Sequence, residues 1–272
     1  MYRMKSLRVA AVAAIVAAML VSAVPAAFAT TTLKCSGSTT LQPLATDWAA
    51  AYHKLHSSIS VTVVGGGSGV GINNAEAGSV DLGMSSRVKA STDPADLVFT
   101  AVARDAVAVI VNPKSKLSSM SASTVKSIFT GKITNWHQIS STFPNKTIVL
   151  DGRTGASGTY SYFKQVFLDN ATQSSKTHTY TSNGMVRSAV AGNQYAIGYV
   201  SMSYINKSVK GVKIKNVAPT QANALSGKYI YVRDLFFVTK NAPKGDALNF
   251  INYCKTTAGQ KIATKDYYLP LH

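Results

Sequence analysis

Short segments with strand-like patterns alternate along the chain with segments whose apolar residues recur at helical spacing. The clearest helical stripe consists of Leu41, Leu44, Ala45, Trp48, Tyr52 and Leu55. Residues 59–64 then alternate between apolar and polar in the manner of a strand and run into the glycine-rich stretch 65–71. This order of helices and strands predicts an α/β fold.

The same order continues to the end of the chain. Further helices are predicted where apolar residues keep helical spacing, at residues 121–129, 160–167 and 244–255. Further strands are predicted at the β-prone runs 80–84, 101–111, 147–150, 196–201 and 229–239. The sequence contains no internal repeat and no low-complexity linker, so its length suits one large domain or two modest ones.

The first 29 residues have the layout of a secretory signal peptide. A basic start containing Arg3, Lys5 and Arg8 precedes an apolar run at 9–24, and a small-x-small site ends at Ala29. We therefore predict an exported protein, periplasmic or extracellular, that is soluble after cleavage. An uncleaved N-terminal anchor is the alternative, and no other segment is long and apolar enough to cross a membrane.

The chain is strongly basic, with 28 lysine and arginine residues against 11 aspartate and glutamate residues and a formal charge of +17. Such a field attracts anions, although nucleic acid or an acidic habitat would suit it too. The lysines are scattered and no nucleic-acid-binding motif accompanies them, so no nucleic-acid partner is expected. Cys35 and Cys254 lack metal-ligand spacing, and the five histidines form no HExxH motif. We therefore expect neither a metal site nor a cofactor, and leave open whether the cysteines pair.

Three junctions rich in glycine, serine and threonine carry the candidate chemistry, at residues 36–40, 65–71 and 153–159. Two of them end a predicted strand and open a predicted helix. The start of a helix presents unpaired N–H groups and the positive end of the helix dipole, and serine and threonine add hydroxyl donors. Three such junctions in one chain predict a site for a small oxyanion. Arg153 is the natural cation for it, because a guanidinium offers two parallel donors to a tetrahedral oxyanion.

The sequence contains no complete nucleotide-binding or hydrolase motif. The sequence contains no GxxxxGK[ST] motif, and the triple-glycine run contains no GxGxxG. The segment 155–159 resembles a nucleophile elbow but has Thr159 where the last glycine should be. We therefore expect a binding protein and not an enzyme.

Several motifs together resemble one known family. These are GSTTL at 37–41, GGGSGVG at 65–71, VDLGMSSR at 80–87, IFTGKITNW at 128–136, RTGASG at 153–158 and AIGYV at 196–200. In this order they resemble the phosphate-binding proteins of ABC-type phosphate importers, members of the periplasmic-binding-protein superfamily. Each motif alone would be weak, but together they span nearly the whole chain beyond the signal peptide.

The resemblance implies an α/β, two-lobed type II periplasmic-binding-protein fold, with a hinge of two crossing strands near 106–112 and 229–237. Lobe 1 would be discontinuous, built from residues 30–110 and 231–272, and lobe 2 would comprise 111–230. The lobes would close on inorganic phosphate. The protein would act as a monomer that delivers phosphate to a membrane-embedded ABC permease.

The resemblance also implies the ligand contacts. By position they carry over to Ser38, Thr39, Thr40, Ser68, Ser86, Arg153, Ser157, Gly158 and Thr159. Some relatives have a carboxylate at the position of Ser86, where it accepts the proton of phosphate, and that carboxylate is absent here. Arg87 is a further candidate for the site, with a surface salt bridge as its alternative. Of the acids near site segments, Asp105 and Asp151, we prefer Asp151 as the substitute acceptor.

The sequence is also compatible with three other functions. The protein could be a receptor for another tetrahedral oxyanion, such as sulfate or molybdate. It could also be a secreted phosphate-sequestering or adhesive protein that serves no importer. A hydrolase is the third, although the sequence shows no pair of nucleophile and base.

Overall fold

The computed structural model describes residues 30–271, so the predicted signal peptide lies outside the described residues. The strands are β1 (Thr31–Gly37), β2 (Ile59–Gly66), β3 (Leu82–Ser85), β4 (Leu97–Val111), β5 (Ser119–Met120), β6 (Val149–Arg153), β7 (His178–Tyr180), β8 (Ala196–Ser201), β9 (Lys210–Gly211), β10 (Lys213–Ile214) and β11 (Val232–Lys240). The α-helices are α1 (Gln42–Leu55), α2 (Ser68–Glu76), α3 (Ala122–Phe129), α4 (Gly158–Val166), α5 (Asn183–Gly192), α6 (Gln221–Leu225), α7 (Gly245–Lys255) and α8 (Thr257–Lys265). The predicted α/β class is confirmed.

The main sheet has the strand order β2-β1-β3-β11-β4-β8-β6-β7, with β9 added beside β4. Strands at each end of this order run parallel, β1 with β2 and β3, and β6 with β7 and β8. In the middle, β11 is antiparallel to β3 and β4, and β4 is antiparallel to β8. The long strand β4 pairs with β11 along residues 97–106 and with β8 along 107–111, so one strand belongs to both halves of the sheet.

Each half of the sheet has its own large hydrophobic core. One core packs α1 against β1, β3 and β11, and contains Trp48, Phe237 and Phe250. The other packs α3 and α4 against β8 and the second half of β4, and contains Phe129 and Phe163. Within residues 30–271 no helix combines the length and apolar character needed to cross a bilayer.

Cys35 on β1 and Cys254 on α7 are both buried in the first core, and both are free. Burial raises the pKa of each thiol, so very little thiolate forms near neutral pH. We expect the native protein to react slowly with a thiol reagent, and the denatured, unreduced protein to titrate two thiols. A count of zero in the denatured protein would show instead that the cysteines pair.

The carboxyl group of Asp266, just after α8, lowers the stability of the folded protein by an amount that depends on pH. Burial, together with Asp47 on α1, raises the pKa of Asp266 to about 6, and one of its carboxyl oxygens is buried without a hydrogen-bond partner in the described part of the chain. Because the folded protein holds this proton more tightly than the unfolded chain, stability falls as the pH rises from about 4 through about 6.

We therefore expect Asp266→Asn to raise the free energy of unfolding at about pH 7.5, by roughly 0.5–1 kcal/mol after allowance for solvent screening. At about pH 4 the gain should vanish, because Asp266 is then protonated and uncharged in the folded protein. Urea denaturation at both pH values measures this difference. An equal gain at both would mean that the carboxylate is not the cause.

Candidate anion-binding site

The three glycine-, serine- and threonine-rich junctions meet at the carboxyl ends of parallel strands. Ser38 to Thr40 connect β1 to α1, Gly67 connects β2 to α2, and the segment after Arg153 connects β6 to α4. Side chains from these junctions satisfy local backbone groups. Ser157 is the N-cap of α4 and accepts from the N–H of Tyr160, while the Ser38 hydroxyl accepts from the N–H groups of Thr40 and Leu41.

The glycine loop makes room for close contact with the α4 junction. The N–H of Gly69 donates to the carbonyl of Ala156 at 2.9 Å. Gly67 has a φ of +104°, and a Cβ there would lie 2.8 Å from the same carbonyl oxygen. This close approach requires glycine at position 67 both for its backbone conformation and for space.

Hydroxyl groups from these junctions form a buried cluster. Thr40 Oγ1 lies 3.0 Å from Thr159 Oγ1, and Ser68 Oγ lies 3.3 Å from Ser86 Oγ. A Cβ on Gly158 would fall 2.3 Å from Ser68 Oγ and 2.7 Å from Ser86 Oγ, so this glycine lies directly against the second pair. The predicted hydroxyl residues are all nearly inaccessible, with Ser38, Thr39, Thr40, Ser68, Ser86, Ser157 and Thr159 between 1% and 5% exposed.

Arg153 brings a buried positive charge to this cluster. It is 1% exposed, and its guanidinium donates to Thr39 Oγ1 at 3.1 Å and to the backbone carbonyls of Tyr180 and Thr181. All of these acceptors are uncharged. Its Nη1 is buried and has no hydrogen-bond partner among the described residues. Burial lowers the pKa of Arg153 to about 10, which reflects the cost of holding this charge away from water.

Two residues of the site were missed by the sequence analysis. Asn183, the first residue of α5, donates from Nδ2 to Thr39 Oγ1 at 3.3 Å and to Thr40 Oγ1 at 3.0 Å. Arg233 on β11 donates from Nη2 to Thr40 Oγ1 at 3.1 Å and to Thr159 Oγ1 at 3.0 Å. Arg233 also donates from Nη1 to the carbonyl of Ser86, which places it at the centre of the cluster.

The preference for Asp151 as the acid of the site is wrong. The carboxylate of Asp151 contacts the side chains of His178 and Tyr180, away from the hydroxyl cluster. The acid connected to the cluster is Asp105 on β4, which is fully buried and pairs with Arg233 at 2.8 Å. It also accepts from the Ser201 hydroxyl at 2.6 Å. Burial raises the pKa of Asp105, and these contacts oppose that effect.

Arg87 is not brought into the cluster, which corrects its inclusion among the candidate ligands. Its guanidinium forms a two-pronged ion pair with Asp93, at 2.6 and 2.7 Å, and donates to the carbonyl of Val88. The Arg87 hydrogen bonds lower the pKa of Asp93. The position of Arg87 matches the alternative prediction, a salt bridge at the surface.

The assembled site offers donors and positive charge. Its hydroxyls, the free N–H groups of Arg153 and the helix N-termini all favour a small anion over a cation or an apolar ligand. Within residues 30–271, no three histidine, cysteine, aspartate or glutamate side chains are grouped so that they could hold a metal ion.

Residues 22–256 match the model of the PBP superfamily domain. The chain is 32% identical to the phosphate-binding protein PstS of Bacillus subtilis over 88% of this chain and 80% of that protein. Among solved structures, it resembles a putative phosphate ABC transporter substrate-binding protein with bound phosphate from Clostridium perfringens. That match has a TM-score of 0.84 at 29% identity, covering 89% of this chain and 100% of the other. An ABC-type phosphate transport receptor from Vibrio cholerae matches with a TM-score of 0.71 at 25% identity, covering 87% and 99%.

Proposed function

The chain belongs to the PBP superfamily, in the family of the phosphate-binding proteins PstS, and from this we propose that it binds inorganic phosphate for an ABC importer. The observation that carries the proposal is the buried guanidinium of Arg153. Among residues 30–271 it has no carboxylate partner in its hydrogen bonds, and its Nη1 is left without an acceptor. A buried charge is costly unless it is paired, and a bound oxyanion supplies both the opposite charge and the missing acceptors.

The ligand is held between two lobes of the type II fold. We place lobe 1 at residues 30–110 and 231–272 and lobe 2 at 111–230. The separate hydrophobic cores, one containing residues from the first half of β4 and the other residues from its second half, support this division. The contacts of Arg153 with Thr39 and of Thr159 with Thr40 join residues from the two lobes, so closing the lobes completes the site.

The protein works outside the cytoplasm as a monomer and hands phosphate to a membrane-embedded permease. The basic and apolar layout of residues 1–29 supports export with cleavage after Ala29. The strong positive charge raises the rate at which anions meet the site. We propose no catalytic role, since the residues of the site bind and orient an oxyanion without a paired nucleophile and base.

Calorimetric titration of the mature protein with phosphate, sulfate and molybdate tests the proposal. We expect phosphate to bind with a Kd of about 1 μM or below, corresponding to about −8 kcal/mol or stronger. Tighter binding of sulfate or molybdate would assign the site to another oxyanion. A phosphatase assay with an aryl phosphate is expected to give no turnover, and turnover lost in an Arg153 variant would identify an enzyme instead.

Arg87→Met is expected to leave phosphate affinity within about twofold of wild type, because the Arg87 guanidinium is committed to Asp93 outside the cluster. The variant should lose a little stability, about 1 kcal/mol or less, since this ion pair is partly exposed. Titration calorimetry at constant ionic strength gives the affinity and urea denaturation gives the stability. A tenfold or larger loss of phosphate affinity would mean that Arg87 contributes to the site.

A further inference from the structure

Positive charge is distributed unequally over the chain beyond residue 29. Residues 111–230, the proposed lobe 2, contain 14 lysine and arginine residues against two aspartates, a formal charge of +12. Residues 30–110 and 231–272 contain 11 basic residues against nine acidic ones, a formal charge of +2. Of the two aspartates in lobe 2, Asp151 is buried and Asp169 is exposed. The surface of lobe 2 is therefore almost uniformly positive.

The anion-binding site does not explain this unequal distribution. Arg153 is the one basic residue of lobe 2 that the site uses. A site between two lobes is influenced by the charge of both, so attraction of a small anion requires no excess on one of them. A field concentrated on one lobe suits an extended polyanion, because many of its charges interact with the same surface at once.

A groove lies at the end of lobe 2 opposite the anion-binding site. It forms where β4 ends at Val111 and β8 begins at Ala196, which are neighbouring ends because the two strands are antiparallel. The other end of β8, at Ser201, contacts Asn183 and Asp105 beside the hydroxyl cluster. The full length of β8 therefore separates the groove from the anion-binding site.

Two adjoining cavities form the groove, with volumes of about 330 and 590 Å³, and they share Lys114, Gln194 and Tyr195. Cationic, aromatic and amide side chains line the smaller one, namely Lys114, Lys116, Trp136, Phe143, Gln194 and Tyr195. Both lysines are exposed, while Phe143 and Tyr195 are half-buried, which leaves part of each ring accessible. No aspartate or glutamate of the described residues lines either cavity, so the charge of the lysines is not neutralised there.

Contacts within the walls hold the groove in shape. Trp136 Nε1 donates to the backbone carbonyl of Tyr195 at 3.0 Å. The Trp136 ring meets the ring of Phe143 edge to face, with the two ring centroids 6.5 Å apart. In the segment that carries the two lysines, the carbonyl of Ser115 accepts from Lys210 Nζ. The groove is therefore preorganised, which lowers the entropic cost of binding a ligand there.

These walls suit a sugar chain that carries acidic groups. The C–H face of a sugar ring is apolar and packs against an aromatic ring, while sugar hydroxyls exchange hydrogen bonds with an amide such as that of Gln194. Lys114 and Lys116 supply positive charge, and a lysine ammonium pairs as a point charge with either a carboxylate or a phosphate group. A chain of simple phosphates would use the lysines but leave the aromatic walls without a partner.

We propose that the groove of lobe 2 binds an acidic glycan, a carbohydrate chain that bears carboxylate or phosphate groups. The groove supplies the local contacts, and the remaining basic surface of lobe 2 supplies long-range attraction. Single-stranded nucleic acid also stacks on aromatic rings in basic grooves. The signal-peptide layout of residues 1–29, however, favours a polymer found outside the cytoplasm. Bound in this way, the protein stays at a polyanionic surface while the anion-binding site faces away from it.

Binding of fluorescently labelled glycans to the mature protein tests the proposal, with phosphate present at about 100 times its expected Kd so that the anion-binding site is filled. An oligogalacturonate carries carboxylates and a phosphomannan oligosaccharide of equal charge carries phosphates, so the pair identifies the preferred acidic group. Both should bind less tightly as salt is added, because exposed charges are screened. Neutral dextran should bind at least about tenfold more weakly. Equal binding of dextran, or no binding of either acidic glycan at low salt, would overturn the proposal.

A double variant separates the groove from the general charge of the lobe. Lys114→Gln combined with Lys116→Gln should weaken binding of the acidic glycans about tenfold. The matched control, Lys176→Gln combined with Lys228→Gln, removes the same charge from exposed positions of lobe 2 that do not line the groove, and it should weaken binding no more than about twofold. Equal losses in the two double variants would mean that the lobe attracts polyanions without a site.

Phe143→Leu tests the aromatic wall. Leucine keeps an apolar side chain but removes the ring, so we expect about fivefold weaker binding of the acidic glycans and unchanged binding of inorganic polyphosphate. Thermal unfolding checks that the variant retains the fold. Unchanged binding of both glycans by a folded Phe143→Leu protein would show that sugar rings do not pack there.

Other polyanions decide whether the occupant is a glycan. Inorganic polyphosphate, oligothymidylate and vesicles of anionic lipid are compared with the glycans in the same buffer. If one of them binds more tightly and depends equally on Lys114 and Lys116, the glycan is the wrong occupant. Phosphate affinity should stay within about twofold of wild type in every groove variant. A protein that binds acidic glycans in the groove but not phosphate contradicts only the proposed function, and the reverse result contradicts only this inference.

Discussion

Arg153→Met is expected to lower phosphate affinity at least about 100-fold without lowering the stability of the ligand-free protein. The loss of affinity corresponds to about 3 kcal/mol, near the upper value for a hydrogen bond to a charged group. The unchanged stability follows from the environment of Arg153. Because the buried guanidinium has only neutral partners in the part of the chain that the structure describes, an apolar side chain of similar length removes a desolvation cost as well as three hydrogen bonds.

Two measurements on the same variant check this expectation. Calorimetry gives the phosphate affinity, and thermal unfolding with and without phosphate gives the stability and the stabilisation by ligand. Wild type should gain thermal stability with phosphate by mass action, and Arg153→Met should gain almost none. Arg87→Met is the matched control, because it removes a guanidinium that lies outside the cluster. Normal phosphate binding by Arg153→Met would mean that the site lies elsewhere.

Gly158→Ala is expected to weaken phosphate binding by about 100-fold, or about 3 kcal/mol, through one added methyl group. The new Cβ would lie 2.3 Å from Ser68 Oγ, 2.7 Å from Ser86 Oγ and 2.9 Å from the backbone carbon of Ser86. The first two atoms belong to the hydroxyl cluster and the third cannot rotate away. The methyl group must therefore push the α4 junction and the Ser68–Ser86 pair apart, which disrupts the site where the lobes meet.

Gly155→Ala is the control for this effect, because its Cβ would meet no atom of the described residues within 4 Å although it lies in the same loop. It should bind phosphate like wild type. Alanine also suits the first turn of a helix at least as well as glycine, so Gly158→Ala should fold normally. Circular dichroism and calorimetry together separate loss of the site from loss of the fold. Equal phosphate affinities for the two variants would show that the α4 junction accommodates the methyl group of Gly158→Ala without any loss of binding.

Local pattern predicted several elements that have one buried face or a clear cap, although it missed α5, which is capped by Ser182. The stripe from Leu41 to Leu55 became α1, and the run at 121–129 became α3 with Ser121 as its N-cap. The strand predicted at 147–150 lies later in the chain, at Val149–Arg153, because Asp151, Gly152 and Arg153 pair with β7. Those three residues have little strand propensity of their own, and the neighbouring strand supplies their hydrogen bonds.

The elements missed by pattern are those whose burial depends on distant neighbours. β1 begins with exposed threonines and contains Lys34, yet it lies between β2 and β3 inside the sheet. α8 is largely polar and packs only a few residues, among them Gly259 and Ala263. Neither segment carries a strong periodicity, so only contacts from elsewhere in the chain stabilise them.

The sequence by itself determined the chemistry of the site. Serine, threonine and glycine at three junctions, with Arg153 after a strand, already predicted a donor-rich oxyanion site, because helix starts and hydroxyls donate hydrogen bonds whatever the remaining fold. Only the tertiary structure decided which charged groups reach the site.

Arg233 lies in a β-prone run 80 residues after Arg153, and Asp105 lies in another such run. Nothing in their local sequence distinguishes these two residues from surface charges. Their pairing across β4 and β11 aims Arg233 at Thr40 and Thr159, while Asp151 and Arg87 are turned to other partners. Strand register sets those directions, and register depends on residues far apart in the sequence.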